Sequence, residues 1–166
     1  LIDYKTTIPI RIYSTEVLLI GEFGKEHRDL VKINVVSEDL KNAIIAAEDE
    51  RFYQHGGVDY LGVLRAAYSN LSSGVVRQGA STITMQVARN FFLTRKKTLT
   101  RKFSEALLAF KIEQSLSKDE ILELYMNQIY LGQRSYGFAS AARVYFGKKL
   151  SDISVAESAM LAGLPK

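Results

Sequence analysis

The sequence predicts a mainly α fold with a short β element at its amino-terminal end. Three observations carry that expectation. β-branched alternation is confined to the first 20 residues. From Ser37 onward apolar residues recur at helical spacing. Serine or aspartate stands at the start of five of these runs, where a helix needs a side-chain acceptor. The 166 residues suffice for one domain with its own core, and 47% hydrophobic against 24% charged content suits a folded globular chain.

Taken in order, Ile8-Pro9-Ile10-Arg11-Ile12-Tyr13 and Val17-Leu18-Leu19-Ile20 read as a hairpin, ended by Gly21-Glu22-Phe23-Gly24. Ser37 caps a helix from Glu38 to about Arg51, with Glu38 and Asp39 in its first turn. Asp59 caps a helix from Tyr60 to about Leu71. Residues 72–79 carry two glycines and two serines and read as a mobile loop. Ser81 caps a helix from Thr82 to about Phe92. A longer helix follows from about Leu99 to Ser115, with Leu99, Phe103, Ala106, Leu107 and Phe110 on its expected buried face. Ser117-Lys118-Asp119-Glu120 and Ser154-Val155-Ala156-Glu157 are capping-box patterns, the first opening a helix to about Asn127. Between them an alanine-rich helix spans Gly137 to Tyr145. Residues 1–36 form a β-containing lead-in to a single domain covering 1–166.

Composition removes several classes. There is no cysteine, hence no disulfide and no thiolate metal site. No apolar run reaches the roughly 18–20 residues that cross a bilayer. The net charge of +4 is unevenly spread. Arg89, Arg95, Lys96, Lys97, Arg101 and Lys102 occur with no acid between them, which suits an anionic partner. Nucleic acid is not that partner: Glu48-Asp49-Glu50 and Asp119-Glu120 interrupt any continuous basic face.

Two carboxylates stand out. The row Leu40, Ile44, Glu48, Phe52 runs down one helix face, so Glu48 is aimed at the core or a cleft, as a general base working near neutral pH requires. Glu105 lies one turn from Arg101 and beside Lys102, and should stay ionised. Thr82, Gln86 and Arg89 share a polar stripe opposite Ile83, Val87 and Phe91. With the N–H groups at the start of that helix they make a candidate anion site, to which Arg101 and Lys102 add charge. His55 has no partner cluster, which excludes a zinc site.

Five segments resemble family 51 glycosyltransferases, the peptidoglycan polymerases. They are Glu48-Asp49-x-x-Phe52-x-x-His55-x-Gly57; Gly79-x-Ser81-Thr82-Ile83-x-x-Gln86-x-x-Arg89-Asn90; Arg101-Lys102-x-x-Glu105; Lys118-x-x-Ile121-Leu122-Glu123-x-Tyr125-x-Asn127; and Gly137-Phe138-x-x-Ala141-Ala142-x-x-Tyr145-Phe146-Gly147-Lys148. All occur in the family's order over residues 48–148. Met85 stands where the family usually has glutamine and Arg89 where it usually has lysine; the second keeps charge but changes its geometry.

The resemblance implies a lysozyme-like, two-lobed helical domain that polymerises lipid II into β-1,4-linked glycan with release of undecaprenyl diphosphate. Glu48 would be the general base. Glu105 would orient the diphosphate with Arg89, Arg101 and Lys102, with a divalent cation such as Mg2+ at Glu105 and no organic cofactor. Asp49, Phe52, His55, Ser81, Thr82, Gln86, Asn90, Asn127 and Arg134 would complete the substrate site. Lipid II, the growing glycan strand, a moenomycin-type inhibitor and the membrane surface are the implied partners. The outer face of a bacterial cell membrane is the implied location, through an anchor preceding this segment. The lead-in resembles class A penicillin-binding proteins, in which a transpeptidase domain follows. The competing expectation is a lysozyme-like hydrolase or lytic transglycosylase, whose glutamate acts as an acid on existing polymer.

Overall fold

The computed structural model describes residues 10–16, 19–23, 27–73, 81–92 and 99–165. The lead-in hairpin pairs β1 (Ile10–Tyr13) with β2 (Leu19–Phe23) antiparallel, so the second strand continues through Gly21 rather than ending there. Ser37 caps α1 (Glu38–Glu48) by accepting the Leu40 N–H at 3.3 Å. This helix stops three residues early because Asp49 leaves helical geometry, and Phe52–Gln54 form a separate 3-10 turn. Asp59 opens α2 (Tyr60–Ser73), accepting the Gly62 N–H at 2.9 Å. The loop expected over 72–79 lies mostly outside the described residues; Ser72 and Ser73 close α2.

The expected cap of the next helix moves by one residue. Thr82, not Ser81, accepts the Met85 N–H at 3.1 Å, and α3 spans Ile83–Phe92. After α4 (Leu99–Glu113), both predicted capping boxes are present, Ser117 with Glu120 opening α5 (Lys118–Gln128) and Ser154 with Glu157 opening α7 (Val155–Ala162). Between them, α6 (Phe138–Phe146) ends at Gly147 in the left-handed conformation that glycine adopts without strain. The two-residue parallel pairing of β3 (His27–Arg28) with β4 (Ser135–Tyr136) is too short to leave a sequence pattern.

The core forms around α5. Ile121, Leu122, Tyr125 and Met126 meet Leu40 and Ile44 of α1, Ile83 and Val87 of α3, Phe138, Ala141 and Ala142 of α6, and Leu161 of α7. Each large buried side chain contributes about 1.5–3 kcal/mol. The lead-in is tied to the same helix. Asn127 accepts the Val31 N–H and donates to the Val31 carbonyl, both at 2.8 Å, while Glu123 accepts the Ile33 N–H at 2.8 Å. Asp29 adds an ion pair to Arg143 of α6 at 2.9 Å.

One expectation is reversed. Phe103 and Leu107 of α4 are 67% and 56% exposed and Phe110 is exposed too, whereas Glu105 and Ala109 on the opposite side are buried. Helical periodicity identifies a stripe but not its orientation, and here the polar side faces the protein. A second outward stripe runs along α2, through Tyr60, Leu61, Leu64, Tyr68 and Leu71.

Gly137 gives a stability test. Its φ is +86°, and a Cβ there would lie 2.9 Å from the Asn127 carbonyl and 3.0 Å from that of Met126. Gly137→Ala should lower the unfolding free energy by about 1–3 kcal/mol, read as an earlier urea midpoint.

Candidate active site

The site is built on two adjacent carboxylates that point to different neighbours. Asp49 terminates α1 and is buried. Its Oδ2 accepts the backbone N–H of Ile83, the first residue of α3, at 3.0 Å. Both its oxygens lie within hydrogen-bond distance of His55 Nε2, at 2.9 and 3.0 Å. A carboxylate only accepts, so Nε2 carries the hydrogen. Thr82 reinforces the joint by donating to the Gly57 carbonyl at 2.6 Å.

The α3 N-terminus is therefore not the open anion site expected from the sequence. Asp49 and Thr82 already take its Ile83 and Met85 N–H groups, and Asp49 supplies the negative charge that a helix start favours. Thr82 and Gln86 of the polar stripe are both buried, as are Thr84 and Met85 around the same turns.

Glu48, half-buried, faces the flank of α3. The Gln86 side-chain N–H donates to its Oε2 at 2.7 Å. That bond fixes the carboxylate and leaves Oε1 for another donor. Beneath this pair Tyr125 of α5 is fully buried. Burial pushes the pKa of its hydroxyl up; the charge of Glu48 adds to the effect and that of Arg89 opposes it. Glu48 and Arg89 thus both act on one point inside the domain.

A second group lies between α3 and α4. Glu105, 1% exposed, is ion-paired with Arg101, Nε to Oε1 at 3.2 Å. Lys102 is exposed and donates to the Ser81 hydroxyl, which brings the start of α4 to the start of α3. Further along, Glu113 accepts from the Thr84 hydroxyl at 2.6 Å and from Lys118 at 2.7 Å, and the Lys118 ammonium sits 4.4 Å from the centre of the Phe52 ring.

The structure thus brings Glu48, Gln86 and Arg89 to one place, and Ser81, Arg101, Lys102 and Glu105 to another along the same helix pair. Asp49, His55 and Thr82 form the joint beneath them. Phe52 has no exposed surface, and the Asn127 side chain spends both amide hydrogens on the carbonyls of Val31 and Glu123. Asn90 and Arg134 are exposed, Arg134 at φ +60° after Gln133 at +46°. Sequence reasoning missed Tyr125 as a neighbour of the site, because its helical phase marks it as core, and Thr84, which carries no signal of its own.

Glu105 is already paired with a guanidinium, and no group of three acidic or histidine side chains able to hold a metal occurs among the described residues.

A family model described as Transglycosylase matches residues 16–166. The chain belongs to the transglycosylase family. This transglycosylase chain is 61% identical over 163 residues to penicillin-binding protein 1A of Neisseria lactamica and 62% identical over 163 residues to that of Neisseria gonorrhoeae. Those alignments cover 98% of this chain and 20% of each relative, so the chain spans a fifth of the length of these curated relatives. A solved structure of penicillin-binding protein 1A from Haemophilus influenzae matches with a TM-score of 0.48 and 29% identity, over 97% of this chain and 14% of that one.

The joint beneath the transglycosylase site predicts its own phenotype. Asp49→Ala removes the acceptor for Ile83 and the partner of His55, and should cost about 1–3 kcal/mol in urea unfolding. A residue that only contacted substrate would leave the midpoint unmoved.

Proposed function

We propose that this chain polymerises lipid II into β-1,4-linked glycan by inverting glycosyl transfer. The observation that carries the reading is Glu48: a half-buried carboxylate held by Gln86 through one oxygen, with no hydrogen bond to the other among the described residues. In the proposed step Oε1 of Glu48 accepts the proton of the acceptor sugar's 4-hydroxyl as that oxygen bonds to the anomeric carbon of the growing strand. The bond from that carbon to the diphosphate breaks, and its electron pair leaves on undecaprenyl diphosphate. Arg89, Arg101 and Lys102 face the departing anion, and Glu105 holds the Arg101 guanidinium in place. Asp49, His55, Thr82, Phe52 and Asn127 act from behind, by fixing the walls. No step is assigned to a metal ion.

A hydrolase or lytic transglycosylase has no anionic leaving group to receive, so the basic cluster favours polymerisation. The lipid carrier also calls for a membrane surface as partner. Phe91, Phe92 and Leu93, an apolar run with Arg95, Lys96 and Lys97 close behind it in sequence, lie outside the described side chains. The outward stripes of α2 and α4 offer the apolar surface instead, with the basic start of α4 beside one of them. Among the described residues no helix is long and apolar enough to cross a membrane.

Incubation with lipid II, with products sized on a gel, tests the reading; incubation with preformed polymer, scored for new ends, tests the hydrolytic alternative. Glu48→Gln keeps the shape but cannot take the proton, so polymerisation should fall by about a hundredfold or more with the fold intact. Near wild-type turnover would remove Glu48 as the base. Lys102→Ala should weaken a phosphoglycolipid inhibitor of the moenomycin type by about tenfold in a calorimetric titration, with an effect that shrinks as salt is raised, because the ammonium is exposed. Unchanged affinity would place the phosphate elsewhere.

A further inference from the structure

Tyr125 is the buried titratable group that the proposed mechanism leaves unused. Its ring is packed with Phe138 at 6.4 Å between centroids, yet its hydroxyl is buried with no hydrogen-bond partner. An unmet buried donor costs about 1–3 kcal/mol, and phenylalanine would fill the same space without that cost. The side chains around it explain what the hydroxyl is for. From α1 comes Glu48 and from α3 comes Arg89, the two charges that act on it. α6 presents the Phe138 ring, and α7 adds Leu161 and Ala162 to the same core. On α4, Glu105 is occupied by Arg101. Arg89 only donates, so of the two charged neighbours Glu48 alone can accept from a phenol.

We propose that Tyr125 is a positioning residue for the general base, its hydroxyl donating to the Glu48 carboxylate once substrate closes the site. This rests on the reading of Glu48 as that base. Catalytic hydrogen bonds are often unmade in a free enzyme and tighten around substrate, which accounts for a donor left without a partner here. Gln86 holds one oxygen from the α3 side, and Tyr125 adds a hold from the α5 side. A carboxylate held by two donors presents a fixed lone pair to the incoming hydroxyl. The phenol keeps its own proton, because its burial and then the charge of Glu48 oppose ionisation and outweigh the opposite pull of Arg89.

The test is the pH profile of lipid II polymerisation by the purified protein carrying Tyr125→Phe, with Glu48→Gln alongside. A donor to the charged carboxylate in the substrate complex favours that form, so its loss should move the acid limb of kcat, which reports the complex, upward by about half a unit to one unit. At neutral pH kcat should fall severalfold and KM change by less than about twofold. The melting temperature should hold or rise, since an unmet hydroxyl has been removed. An acid limb superimposable on wild type, with Glu48→Gln inactive, overturns the role of Tyr125 alone. Activity retained in Glu48→Gln overturns the base and this inference with it. Should Tyr125→Phe fold poorly, tyrosine replacement by 3-fluorotyrosine supplies a stronger donor and should shift the acid limb downward; an unmoved limb overturns the proposal.

Discussion

The arrangement depends on what Asp49 does with one carboxylate. It stops α1, accepts the first N–H of α3, and holds His55 in the turn that follows. The end of α1, the turn after it and the start of α3 are thereby joined at one buried point. Because Asp49 follows Glu48 directly, fixing it also fixes where the Glu48 side chain leaves the helix. Gln86, one turn into α3, then lies within reach of Glu48 at 2.7 Å. The bond between Glu48 and Gln86 is thus a consequence of a cap made one residue away.

Charge inside the domain is tolerated because it is paired. Glu105 meets Arg101, and Glu113 meets both Lys118 and Thr84. A carboxylate removed from water without a partner would cost several kcal/mol, so these contacts set which face of α4 turns inward. Pointing Phe103, Leu107 and Phe110 inward instead would expose that polar row and strand its partners on α3 and α5. The apolar stripe of Phe103, Leu107 and Phe110 is left outside as the consequence.

Local chemistry made much of this legible. Ser37, Ser117 and Ser154 mark helix starts because a side-chain oxygen three residues before a free N–H has one effective use. The order of the five motifs points to the same family as the match over residues 16–166. What escaped was long-range. Thr82 rather than Ser81 is the cap because Gly57, 25 residues earlier, accepts its hydroxyl hydrogen. Asn127 sits in a polar motif, but its partner is the backbone of Val31, 96 residues away. The orientation of α4 depends on neighbours whose placement no periodicity contains. Tyr125 shows the limit in another way, since its helical phase marks its ring as core and says nothing of the unpaired hydroxyl at its end.

Glu48 and Asp49 are neighbours in sequence, yet helix electrostatics treats them oppositely. Asp49 sits at the start of α3, where exposed N–H groups favour negative charge by roughly 0.3–1 kcal/mol. Glu48 is the last residue of α1, where the exposed carbonyls oppose it by a similar amount. The first carboxylate is therefore suited to a permanent structural bond. The second gains nothing from its own helix and relies on donors from other elements, Gln86 on α3 and the proposed hydroxyl on α5. A group whose charge is supported only by what faces it responds to changes in those facing groups. That is the property expected of a residue that must hold its charge before the reaction and give it up during the reaction.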